Sequence, residues 1–133
     1  MCGLRKGEAE ALTVNDISFS SSTINVNKTY DRTNHIVTTP KTKNSVRTVY
    51  MIDELKNVLH ELIDIHKKCE GFDGDALIFG FNTYISESTL KRVQERACVQ
   101  SDVKTIRTDD LRQSHVSLLI DMGLTPHLIA ERL

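Results

Sequence analysis

The sequence predicts an α+β fold: a small antiparallel sheet of three strands beside a mostly helical body. Two observations carry it. Between residues 17 and 52 apolar residues alternate in short runs, in TINVNK, HIVTT and RTVYMI. Beyond residue 52 they recur at helical spacing in three longer segments. Strands followed by helices is the α+β order. A chain of 133 residues holds one domain with a real core and is short for two.

The elements follow in order. GLRKGEAEALT (3–13) reads as a helix, with Leu4, Ala11 and Leu12 among good helix formers and Gly7 weakening it. In the sheet, Ile24 and Val26 share one face, as do Val49 and Met51, with Ser20, Ser21, Ser22 and Asn34 as turn signals. DELKNVLHELIDIHKKC (53–69) is the clearest helix, capped by Asp53, with Leu55, Val58, Leu59, Leu62, Ile65 and Cys69 on its apolar face. EGFDGD ends it, and ALIFGF is a short buried strand or turn. Ser86 caps a helix to about Gln100, with Leu90, Val93 and Ala97 inward. From about Asp109 to Met122 a further helix buries Leu111, His115 or Val116, Leu118, Leu119 and Met122. Gly123 sits at a left-handed C-cap, and Thr125–Pro126 open a last short helix whose face is Ile129 and Leu133. A helix of two turns is marginal alone, so it must pack on something.

Composition sets the outer limits. Hydrophobic residues at 39% and charged residues at 26% are ordinary for a globular chain. No stretch approaches the roughly 20 apolar residues that span a bilayer. MCGLRKGEAEAL offers no signal-peptide core, so a cytoplasmic setting is expected. Cys2, Cys69 and Cys98 are odd in number and widely spaced, which predicts free thiols, with neither a disulfide frame nor a metal cluster. The net charge of −1 argues against a strongly basic nucleic-acid binder. The charge is uneven, however: residues 1–50 carry seven Lys/Arg against four Asp/Glu, and residues 51–100 carry six against nine. The basic surplus lies in the N-terminal third.

Three segments carry possible chemistry. At the first helix, Arg5 and Glu8 are spaced for a surface ion pair. TPKTKNSVRTV (39–49) puts Lys41, Lys43 and Arg47 near a turn between strands, either as a solvated edge that discourages strand pairing or as a phosphate contact. DDLRQSHVSLLIDMGLTPHLIAERL could form a helix-turn-helix, although a groove helix over 125–133 offers only His127, Glu131 and Arg132 for reading bases.

Taken in order, GLRKGEAEALT, PKTKNSVRTV and DLRQSHVSLLIDMGLTPHLIAERL resemble the catalytic domain of the tyrosine recombinases, the phage-type integrases. The resemblance covers essentially the whole chain. It implies the family's fold and places its first catalytic arginine at Arg5, its hairpin lysine at Lys41 (Lys43 in an alternative register) and its second arginine at Arg112. Such enzymes cleave DNA without metal or cofactor. Two Arg forks hold the non-bridging phosphate oxygens and the charge that develops on them. A lysine protonates the departing sugar oxygen, and a tyrosine attacks and becomes linked to DNA. Lys6, Lys43, Arg47 and His115 are expected as further DNA contacts.

The sequence also departs from the pattern. Asp109 stands where the family carries His, and Gln113 where a second His is common. An ionised Asp repels a phosphate by about 4 kcal/mol, for unit charges about 4 Å apart at an effective dielectric of about 20; as an N-cap it suits the helix start. Val14 stands where Trp is common. Tyr30, Tyr50 and Tyr84 fall in sheet and loop regions and read as packing residues, so the nucleophile is expected outside these 133 residues. The resemblance therefore implies a single partial catalytic domain over 1–133, inactive by itself, lacking the core-binding domain and the tyrosine segment. Weak, salt-sensitive DNA binding around Arg5, Lys41 and Arg112 is expected. The alternative is a non-catalytic module that binds DNA or another recombinase protomer.

Overall fold

A computed structural model describes residues 2–39 and 46–133; for Glu131 and Arg132 it describes the backbone alone. The order is α1 (Lys6–Ala11), a 3-10 turn (Val14–Asp16), β1 (Ile17–Ser18), β2 (Thr23–Val26), β3 (Thr29–Asp31), β4 (Ile36–Thr38), β5 (Arg47–Tyr50), α2 (Asp53–His66), α3 (Glu87–Gln100), α4 (Thr108–Asp121) and α5 (Pro126–Arg132).

The expected three-stranded antiparallel sheet is present, in the order β1-β2-β5, with Ile24 opposite Val49 and Val26 opposite Arg47. One strand differs from the sequence reading. The HIVTT run does not join this sheet; it forms β4 and pairs with β3 as a separate hairpin, while β1 takes the third place. The hairpin is drawn away by α1. A side chain at Gly7 would lie 2.7 Å from the Tyr30 carbonyl, so only glycine lets β3 run that close to the helix. Arg32 then forks onto the buried Glu10 of α1 at 2.7–3.1 Å, and Tyr30 stacks flat on Tyr84 with ring centroids 3.6 Å apart.

Leu12, Ile24, Val26, Val49, Met51, Leu59, Ile63 and Ile78 form the core between the sheet and α2. The faces read from the β2 and β5 alternation are the buried ones. On α2 the buried face is turned from the expected one: Leu59, Ile63 and His66 point inward, while Val58 and Ile65 face solvent. His66 explains the shift, since its ring packs edge-on against Phe81 at 5.2 Å. Ile52 rather than Asp53 occupies the N-cap, which leaves Asp53 in the first turn, where its charge suits the helix dipole.

The later helices end where local chemistry ends them. The Ser86 hydroxyl accepts from the Thr89 amide, and Thr125 from Leu128; Gly123 takes φ +81 after α4. Their inner faces again differ from expectation. On α3, Val93 is exposed and Cys98 is buried. Gln94 donates to the Ile106 carbonyl and accepts from the Thr108 hydroxyl, both at 2.8 Å, which clips α3 to the start of α4. On α4 only His115 and Leu119 are buried, and Leu111, Leu118 and Met122 face solvent. Ile129 is the residue that seats α5.

Candidate phosphate-binding site

The site is built at the start of α1, where Arg5 precedes the first turn and Glu8 closes it. The Glu8 side chain accepts from the Arg5 amide at 2.8 Å and from Arg5 Nη1 at 2.9 Å. This is the i, i+3 pair that the spacing suggests, but it is not a surface pair: the Glu8 side chain is 3% exposed and that of Arg5 54%. What buries Glu8 is Arg47 at the start of β5, whose guanidinium forks onto both carboxylate oxygens, at 3.1 and 2.8 Å. Burial opposes the charge on Glu8, but the Arg47 fork and the donors of Arg5 outweigh it and hold its pKa below the ordinary 4.5.

Arg112 reaches the same cluster from α4. Its Nη1 donates to the Gly3 carbonyl at 2.5 Å and its Nη2 to that of Leu133 at 3.0 Å. Partial burial is the first cause lowering its pKa; the charges of Arg5 and, more weakly, Arg47 act the same way, and Glu8 opposes them. Arg5 and Arg47 bind one buried carboxylate, and Arg112 lies within electrostatic reach of all three groups, a surplus of positive charge in one region. Gly3 permits the approach of α4. It has φ +63, and a Cβ there would lie 2.6 Å from side-chain atoms of both His115 and Leu133.

The remaining candidates divide. Lys41 and Lys43 lie outside the described residues. Arg47 and Lys6, expected as DNA contacts, are committed to ion pairs, Arg47 to Glu8 and Lys6 to Glu87 at 2.5 Å. His115, expected either on the buried face of its helix or as a DNA contact, is buried at 3% exposure. Asp109 is exposed in the first turn of α4 and is not its N-cap; Arg107 holds that place, and Asp110 accepts from its amide at 3.0 Å. Asp109 lines a groove of about 530 Å³ between α3 and α4, together with Lys6, Lys91, Lys104 and Arg107. Tyr30 is buried against Tyr84, as expected of packing residues, whereas Tyr50 is 69% exposed on β5. Sequence reasoning missed Glu8 as the hub and the Gly3 carbonyl as a partner of Arg112. The one available signal is a glutamate three residues after Arg5, whose spacing by itself suggests a surface ion pair.

This fold, with two arginines converging from α1 and α4, is that of a tyrosine-recombinase catalytic domain. All of residues 1–133 match the Phage integrase family, and the chain belongs to that family. It is similar to the ICEBs1 integrase of Bacillus subtilis (strain 168), 36% identical over 141 residues that take in 100% of this chain and 38% of that protein. The integrase of Staphylococcus phage L54a is 29% identical, over 99% of this chain and 41% of that protein. Among solved structures, the Tn1549 transposon integrase in complex with a circular intermediate DNA superposes with a TM-score of 0.78 at 20% identity, over 98% of this chain and 46% of that one. The XerA recombinase gives 0.75 at 21% identity, over 99% of this chain and 44% of that one. The chain therefore spans less than half the length of these relatives. Among the described residues no helix is long and apolar enough to cross a membrane.

Proposed function

We propose that this chain binds the DNA phosphodiester as one partial catalytic domain of an integrase, with Arg5 and Arg112 on the non-bridging oxygens and Lys41, or Lys43, as the acid for the leaving sugar oxygen. The observation that carries the reading is the convergence of Arg5 and Arg112 on the surroundings of one buried carboxylate, from opposite ends of the chain. Arg5 Nε and Nη2 make no hydrogen bond among the described residues, which leaves that edge for an anion. Preorganised guanidinium forks of this kind stabilise charge without reorganising as it develops. By resemblance Asp109 stands at the family's His position, where an ionised carboxylate cannot deliver the proton or hydrogen bond of an imidazole; it is exposed in the groove between α3 and α4.

The three tyrosines do not serve as the nucleophile in this reading, because Tyr30 and Tyr84 are stacked on each other and Tyr50 lies on the sheet. The chain then binds DNA without cutting it. With three or four phosphate contacts, the logarithm of affinity falls against the logarithm of salt with a slope of about −3. Titration of a labelled duplex at several salt concentrations tests the binding; a salt-independent or absent signal contradicts it. A suicide DNA substrate tests the inactivity, which a covalent protein–DNA adduct would refute. The setting proposed is the cytoplasm, where such DNA lies.

A second reading has its own support. Leu111, Leu118 and Met122 form an exposed apolar stripe on α4, suited to contact with another recombinase protomer. Concentration-dependent elution from a sizing column supports it, and a monomer at every concentration speaks against it.

A further inference from the structure

The phosphate-binding reading needs Arg5 held in one orientation, and its side chain is 54% exposed. Among the described residues its guanidinium makes one hydrogen bond, from Nη1 to Glu8 Oε1. A glutamate carboxylate turns readily about its last torsion. Glu8 is prevented from turning because Arg47 takes both of its oxygens at once, Nη1 to Oε1 and Nη2 to Oε2. Arg47 is itself fixed: its side chain is 7% exposed, and its backbone is paired in register with Val26 of β2.

We infer that Arg47 is a positioning residue for Arg5: by forking onto Glu8 it sets the plane of the carboxylate, and through that shared carboxylate it aims the Arg5 guanidinium at the phosphate. The inference rests on the phosphate-binding reading for its purpose and on the geometry alone for its mechanism. Among the described residues, the four hydrogen bonds that reach the carboxylate all come from these two arginines: Arg5 supplies its amide to Oε2 and Nη1 to Oε1, and Arg47 supplies the fork. Take away the fork and the amide alone anchors Oε2, leaving Oε1 free to swing off the Arg5 guanidinium. Lysine cannot replace it, since an ammonium is a point charge and does not fix a plane. Arg47→Lys therefore keeps the buried charge balanced, and with it the fold, while removing the alignment.

The test is NMR of arginine side chains in the 133-residue protein labelled with nitrogen-15, with the Arg5 signal assigned by its loss in Arg5→Lys. In the unaltered protein, rotation about the Arg5 Nε–Cζ bond is slow, because Nη1 is held. In Arg47→Lys, with the backbone amide spectrum still dispersed, rotation rises to that of free arginine, and affinity for a labelled DNA duplex falls about tenfold, the equivalent of one charge-assisted hydrogen bond. Arg47→Gln keeps Glu8 in place but can donate to one carboxylate oxygen only, and gives the same release of Arg5, so the test stands should the lysine variant not fold. Unchanged Arg5 rotation in a folded variant overturns the inference. Failure of the underlying reading looks different: the unaltered protein then shows no salt-dependent binding of the duplex, whatever the Arg5 signal does.

Discussion

The sheet and α2 enclose a shared core in which Ile24, Val26, Val49 and Ile78 are 1–3% exposed, whereas α3 and α4, of 14 residues each, bury only Cys98, His115 and Leu119 between them. Val93, Val99, Leu111, Leu118 and Met122 face solvent on those helices. Hydrophobic burial fixes the first region and polar clips hold much of the second: Gln94 to Ile106 and Thr108, and Arg112 to Gly3 and Leu133. The two arginines of the site come from opposite sides of this divide. Arg5 is anchored to the well-packed region through Glu8 and Arg47. Arg112 stands on the lightly packed helix and is registered to the other region by one carbonyl, that of Gly3. The geometry of the pocket therefore rests on charged clamps that cross between regions.

The largest effect is expected at the clamp inside the packed region. Arg47→Met leaves the Glu8 carboxylate buried with Arg5 as its only partner among the described residues, and should cost about 3–5 kcal/mol in urea unfolding; a loss under about 1 kcal/mol would make the pair incidental. Acid reaches the same pair. Because the Glu8 pKa is lowered on folding, its contribution is complete above the ordinary carboxylate value and is lost as pH falls through the folded value. Urea midpoints followed below pH 4.5 should fall more steeply for the unaltered protein than for Glu8→Gln/Arg47→Met.

Next in size is the contrast between the two regions. Ile78→Ala should destabilise by about 2–5 kcal/mol, and Val93→Ala on α3 by no more than about 0.5 kcal/mol. Similar losses at both sites would mean that α3 is packed far more tightly than its exposure indicates. A smaller effect, more than about 1 kcal/mol, is expected for Gly3→Ala, which forces a side chain into φ +63 against His115 and Leu133. Hydrogen exchange should then quicken in α5 and around Arg112, while β2 and β5 keep their protection; uniform exchange across both regions would remove the distinction.

How much of this was legible in the sequence depended on the range of the cause. Ser86, Gly123 and Thr125–Pro126 mark helix ends through contacts within four residues, and those ends lie where the sequence places them. The inner faces of α2, α3 and α4 were misplaced at Val58, Ile65, Val93 and Leu111, because helical spacing gives an apolar stripe and not the neighbour that covers it. The sheet was read as one because alternation cannot say which strands pair; the absent Cβ of Gly7 helps decide that for β3. In the site, Arg5 and Arg112 were found by resemblance to a known motif. The sequence offers Arg47 as a solvated edge cation or a DNA contact and Glu8 as half of a surface pair, because the fork that buries them joins residues 39 positions apart, beyond the reach of any local pattern.

The central claim is that Arg5 and Arg112 hold the same phosphate. A double-mutant cycle on binding of a labelled DNA duplex, with Arg5→Ala, Arg112→Ala and the double variant at one fixed low salt concentration, tests it most directly. Joint action predicts strong coupling, the double variant losing little more affinity than either single one. Losses that simply add would place the two arginines on separate contacts and contradict the account.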